Sequence, residues 1–158
     1  MLTKEQAKAD ALKFLNENIT AVIATSQGVS PQASTVYYLV DNDFNFYFTT
    51  KDNSGSCENI KNNWNVAVVV GTGPQHITVQ ARGIAEILEG EKREEMIQKF
   101  MDMFARELVK VRPIEDVYKF KDRDKVVIKI TPRELSYLNL DSSTHKESIV
   151  DNYMYLIP

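Results

Sequence analysis

Hydrophobic and polar positions alternate along most of this chain, and the period changes at identifiable places. Phe44, Phe46 and Phe48 share one side of a two-residue repeat, with Asn45, Tyr47 and Thr49 on the other, as on a strand with one buried face. Lys51 to Gly55 holds only polar residues and glycine, which predicts a loop. Ser54 or Ser56 then caps a short helix through Asn59 and Ile60. Val66 to Val70 is apolar throughout and reads as a buried strand. Upstream, Thr3-Lys4-Glu5-Gln6 matches a capping box, and Ala7, Ala11, Phe14 and Leu15 follow helical spacing.

Strands are predicted from Thr20 to Ser26 and from Ala33 to Val40, with a turn over Gln27 to Pro31 between them. Asp41-Asn42-Asp43 turns the second strand into the Phe44 strand. Gly71-Thr72-Gly73-Pro74 is a further turn; no helix follows it to receive a phosphate. Ile77 to Leu88 alternates over its length, and Gly83 inside it marks a bulge or bend. Met96, Phe100, Met103 and Phe104 form the apolar stripe of a helix from about Glu91 to Leu108. Pro113 starts a short helical turn containing Val117 and Tyr118. Val126, Ile128 and Ile130 alternate in a strand that Pro132 interrupts, and Leu135 to Leu140 forms another. Six or seven strands with two or three helices predict an α+β fold, an antiparallel barrel with peripheral helices.

Composition narrows the function classes. The 158 residues suit a single domain over 1–158, with 43% hydrophobic and 26% charged residues. Net charge is −3 and no Lys/Arg run exists, which argues against nucleic acid as a partner. No apolar run suits a membrane span, and Lys4 to Glu17 is too charged for a signal peptide. Cys57 is the lone cysteine, so a reducing cytoplasm is the expected location. It falls at a helix start, where the dipole lowers a thiol pKa, but no partner cysteine or nearby histidine supports a redox role. His76 and His145 lack metal-ligand spacing. Of Tyr37 and Tyr38, one faces inward; the outer one is placed at an interface or beside a cofactor ring.

The chemistry-bearing feature is the Ser/Gly loop that feeds a helix N-terminus. Free backbone N–H groups there suit an anion. Tyr47-Phe48-Thr49-Thr50, then Ser54-Gly55-Ser56 and Asn59-Ile60, resembles the strand–loop–helix motif of the flavin-mononucleotide-binding split barrels of the pyridoxamine 5′-phosphate oxidase type, including their small general-stress-protein relatives. Val79 to Glu86, with Gly83 and Ala85, is similar to that family's Val-x-x-x-Gly-x-Ala strand. The resemblance spans about Thr20 to Leu140. It implies a split barrel, a homodimer with the flavin cleft built from two chains, and a flavin-dependent oxidoreductase acting on a small molecule. The second reading is a non-catalytic binding or stress-related protein with an altered cofactor site.

The resemblance places the cofactor at Ser34, Thr35 and Val36, at Thr49, Thr50 and Lys51, at Ser54, Ser56 and Cys57, and near Thr78 and Gln80. The family's basic phosphate ligands are replaced. Its second-strand arginine and lysine map onto Ser34 and Leu39, its loop Arg-Lys pair onto Gly55 and Ser56, and its long-strand glutamine onto Thr78. Each lost charged hydrogen bond costs about 1.5–3 kcal/mol, so flavin mononucleotide is expected to bind weakly. Lys51 and Lys61 are the cations near enough to swing in. His145 has no arginine at the spacing that substrate phosphate recognition needs, which argues against pyridoxamine phosphate oxidation itself. No side chain stands out as a catalytic acid or base.

Overall fold

In the computed structural model the described residues are 3–71, 76–111, 113, 115, 125–140 and 153–158. The predicted turn after Pro113, the Thr72–Pro74 part of another turn, and His145 lie outside them. Helix α1, Lys4–Glu17, starts with the predicted capping box on Thr3 and buries Ala7, Ala11, Phe14 and Leu15. Strands β1, Thr20–Gln27, and β2, Ser30–Val40, form a hairpin whose tight turn uses Gly28 at φ +58°. Ser30 and Pro31 therefore pair within β2 rather than sitting in the turn, because the short connection lets pairing run to Gln27↔Ser30.

Strand β3 spans Phe46–Lys51. Phe44, predicted inside it, precedes it at φ +63°. The Asp41 carboxylate explains this turn. It accepts from the backbone N–H of Asp43 and Asn45, from the Asn45 side chain and from the Tyr47 hydroxyl, at 2.9–3.0 Å. Burial of the Phe44 ring offsets the cost of its left-handed backbone. Helix α2, Gly55–Asn62, follows, then β4, Asn65–Val70, and β5, Ile77–Leu88. Helix α3, Gly90–Glu107, continues into a 3₁₀ turn over Leu108–Lys110.

The last part of the barrel differs from expectation. Lys125–Asn139 is one strand, β6, and Pro132 does not end it. The first half of β6 pairs with β3 and the second with β7, Tyr153–Ile157. Pro132 falls in the gap between these two partners, where no ladder N–H is needed. On the other side it meets Gly83, and the register shift lies there, as Gly83 predicted. A Cβ on Gly83 would sit 2.2 Å from the Thr131 carbonyl oxygen.

The sheet order β3-β2-β1-β4-β5-β6 closes through β3–β6 pairing into a six-stranded antiparallel barrel, with β7 as a seventh strand on β6. Inside lie Ile23, Phe46, Phe48, Val68, Val79, Ile128, Leu135 and Tyr137, joined by the apolar faces of α1 and by Ile60 of α2. The Tyr38 hydroxyl donates to the Leu15 carbonyl and fixes α1 to β2. A second core lies outside the barrel wall, where Met96, Phe100, Met103 and Phe104 of α3 cover Tyr47 and Val127. Tyr37, expected at an interface or a cofactor ring, instead packs edge-on against Phe104 at 5.4 Å.

Candidate functional site

Ser54 is the N-cap of α2. Its side chain accepts from the Cys57 N–H at 3.1 Å and from the Thr50 hydroxyl at 2.7 Å. This fixes the loop against the end of β3, with Gly55 exposed at the start of α2 and Ser56 and Cys57 buried behind it. The backbone N–H groups of Gly55 and Ser56 have no acceptor among the described residues. Gly55 is exposed. Two free amides, two hydroxyls and the helix N-terminus favour an anionic or strongly accepting group there.

Behind this turn lies an amide–hydroxyl network. The Ser56 hydroxyl donates to Ser34 at 3.3 Å, and the Gln32 side chain donates to Ser34 at 3.2 Å. Asn59 donates to the Thr25 hydroxyl and to the side-chain amide oxygen (Oε1) of Gln32, and Asn63 donates to Ser26. Among the described residues no buried side-chain polar atom is left without a partner. The network is neutral and complete in itself, and it occupies the barrel end where the resemblance would place cations. Gln32 and Thr25 were not picked out from the sequence, and Asn59 was read only as part of the strand–loop–helix motif. The available signal was spacing: Ser56, Asn59 and Ile60 share one face of α2, so that face is polar where it enters the barrel.

The structure divides the expected site residues. Ser34, Thr50, Ser54, Ser56 and Cys57 come together around the first turn of α2. Thr49 and Lys51 leave β3 on the side opposite Thr50, so they do not join that cluster. Val36 packs against the barrel core. Thr35 faces outward on β2, in register with Val22 on β1, Val69 on β4 and Gln80 on β5. Gln80 is thus three strand spacings, about 14 Å, from Thr35. The Thr78 hydroxyl donates to the Val70 carbonyl.

Burial and ion pairing set the electrostatics at the start of α2. Cys57 is fully buried, and burial pushes its thiol above the ordinary range; Lys61 opposes this, and Asp52 and Glu58 add to it. Desolvation is the largest of these influences and holds the thiol toward its protonated form. Lys61 reaches toward the start of α2, but carboxylates there already hold it. Its ammonium pairs with Asp52 at 2.9 Å and Glu58 at 3.4 Å.

The outer surface of β2-β1-β4-β5 carries short or apolar side chains, Thr35, Val22, Val69, Ala24 and Ala67, edged by Gln80 and Arg82. None of these valines and alanines joins either core. The α2 amides offer hydrogen-bond donors suited to a phosphate, without cations beside them. Among the described residues no cluster of His, Cys, Asp and Glu suits a metal ion, and no helix is long and apolar enough to cross a membrane.

Residues 7–139 match the family model described as pyridoxamine 5′-phosphate oxidase. No curated protein matches by sequence. Among solved structures, general stress protein 26 from Bacillus anthracis is 24% identical, with 82% of this chain and 92% of that chain covered at a TM-score of 0.65. An FAD-binding protein from Mesorhizobium loti is 16% identical, with 82% and 90% covered at 0.63. A heme-binding protein from Mycobacterium smegmatis is 16% identical, with 84% and 53% covered at 0.65. These likenesses establish the split-barrel fold.

Proposed function

The chain belongs to the pyridoxamine 5′-phosphate oxidase family, and we propose that it binds flavin mononucleotide weakly, between two protomers, as a flavin-dependent oxidoreductase acting on a small molecule. The observation that carries this reading is the first turn of α2, where the Gly55 and Ser56 amides have no acceptor among the described residues and lie beside the Ser54 and Thr50 hydroxyls. In this reading these groups receive the phosphate. The outer face around Thr35, Val22 and Val69 supports the ring, and a second protomer excludes water from its other side. Flavin, when bound, supplies the hydride and electron transfer. The protein then needs to bind, orient and shield, which agrees with a site that offers no acid or base. The lone buried Cys57 suits a reducing cytoplasm.

A second reading, a non-catalytic binding protein, is favoured by the complete Gln32–Asn59–Thr25 and Ser56–Ser34 network, which leaves no place for a side-chain cation. Flavin titration separates the two. Quenching of flavin mononucleotide fluorescence should saturate with a dissociation constant in the micromolar range, the loss of charged hydrogen bonds costing several decades. Ser56→Lys would bury an ammonium in the network, so the charge is better placed on exposed Asn53. Asn53→Lys should tighten binding about three- to tenfold, and more at low salt. Saturable binding that Asn53→Lys leaves unchanged would move the phosphate elsewhere. No quenching by either protein at about 100 μM, far above the expected constant, would favour the non-catalytic reading.

A further inference from the structure

A second concave site lies on the other side of the barrel wall, between α3 and the β2–β3 hairpin. It is a cleft of about 270 Å³. Leu39, Val40 and Met96 give it an apolar floor, and the Tyr47 ring forms one wall. Along its rim stand Lys92, Lys99 and Arg106. These three cations are seven residues apart, so they recur every two turns on one edge of α3, about 10 Å from each to the next.

The charges around the cleft are not equivalent. The Lys92 ammonium lies 5.9 Å from the centre of the Tyr47 ring. Lys92 and Lys99 share one carboxylate, Glu95, at 3.6 and 3.2 Å. Arg106 makes no ion pair among the described residues. Asp41 is held by four donors, so neither of its oxygens is free to swing onto a rim cation. Asp102 accepts from Gln98 one turn away. Three cations and three carboxylates, Glu95, Asp41 and Asp102, thus balance around the cleft, and among the described residues Arg106 is the cation of the rim that no carboxylate pairs. A planar guanidinium without an ion-pair partner among the described residues, in a cleft with an apolar floor and an aromatic wall, matches a ligand with an anionic head and an apolar body. The volume limits that body to about one ring.

We propose that this cleft binds a small organic anion. Its carboxylate or similar head meets Arg106 and Lys99, and its apolar body lies on Met96, Leu39 and the Tyr47 ring. The site is separate from the α2 turn. Tyr47 leaves β3 on the α3 side, and its neighbours Phe46 and Phe48 point into the barrel core. The proposal does not rest on flavin binding.

The test uses the full chain, with benzoate as probe, benzamide as its uncharged counterpart and inorganic phosphate as a head without a body. Amide chemical shifts are followed by NMR. Benzoate should give saturable shifts confined to residues 39–41, 47 and 92–106. Arg106→Gln should weaken it about fivefold or more, the scale of one partly exposed charge pair, with an unchanged spectrum elsewhere. Asn53→Lys, at the α2 turn, should leave benzoate binding unaltered. Equal shifts with benzamide, or none that saturate, would overturn the proposal. Phosphate binding as tightly as benzoate would overturn the role of the apolar floor.

Discussion

Asp41 illustrates how much one carboxylate can organise. Burial alone would raise its pKa, but the Asn45 side chain and amide, the Tyr47 hydroxyl and the Asp43 amide together outweigh it, so the net shift is downward. The same contact works in the opposite direction on Tyr47. Desolvation first, then the hydrogen bond to Asp41, push that phenol up to about 12. A carboxyl group with a depressed folded pKa adds stability above its unfolded pKa and loses it as pH falls through the folded value. Asp41→Asn should therefore cost about 1 kcal/mol at pH 7, discounted for partial exposure. That difference should shrink toward zero below about pH 3–4. Urea unfolding of both proteins across this range measures it. A difference independent of pH would mean that shape, not charge, holds the hairpin. Such a residue is hard to read from sequence: Asp41-Asn42-Asp43 signals a turn, but not which carboxylate gathers the donors.

At the scale of elements, periodicity made the fold legible. The strand Ile77–Leu88, the capping box on Thr3 and the α3 stripe all follow local spacing, and the family motif added the barrel. Long-range pairing was the hidden part. Pro132 looked like a strand end because a proline removes an N–H, yet β6 changes partners there and needs none. Only Gly83, on the facing strand, hinted at it. The candidate site was legible in its loop and cap, and obscure where parity decided. Thr49 and Lys51 sit beside Thr50 in sequence but leave β3 on the other side, whereas Val36 shares the face of Ser34 and lies against the barrel core. Gly83→Ala tests the crossing. Its methyl would meet the Thr131 carbonyl and the Pro132 Cα, 2.2 and 2.8 Å away, and both are backbone. A loss of about 1–3 kcal/mol is expected, which lowers the melting temperature by about 2–4 °C per kcal/mol at this size. A variant as stable as the parent would mean that the strands separate there freely.

The whole molecule is asymmetric in what its barrel wall carries. One side is covered by α3 with five buried Met and Phe side chains. The other, β2-β1-β4-β5, presents Val22, Val69, Ala24 and Ala67 with no helix of the described residues over them. Apolar rows of small side chains bury well against a second copy, and a two-fold dimer would need about 800 Å² from each protomer. Such a dimer would also bring the outer face of each chain against the other and close the ring part of the proposed flavin site. Val69→Lys puts a charge in the centre of the row without touching the barrel interior. Sedimentation equilibrium should find the parent protein dimeric at micromolar concentration and Val69→Lys monomeric, with a similar melting temperature. The same substitution should weaken flavin binding, since the monomer lacks the second wall. A parent monomer would remove the shared cleft from the functional reading. A monomeric variant with unaltered flavin affinity would place the ring within one chain.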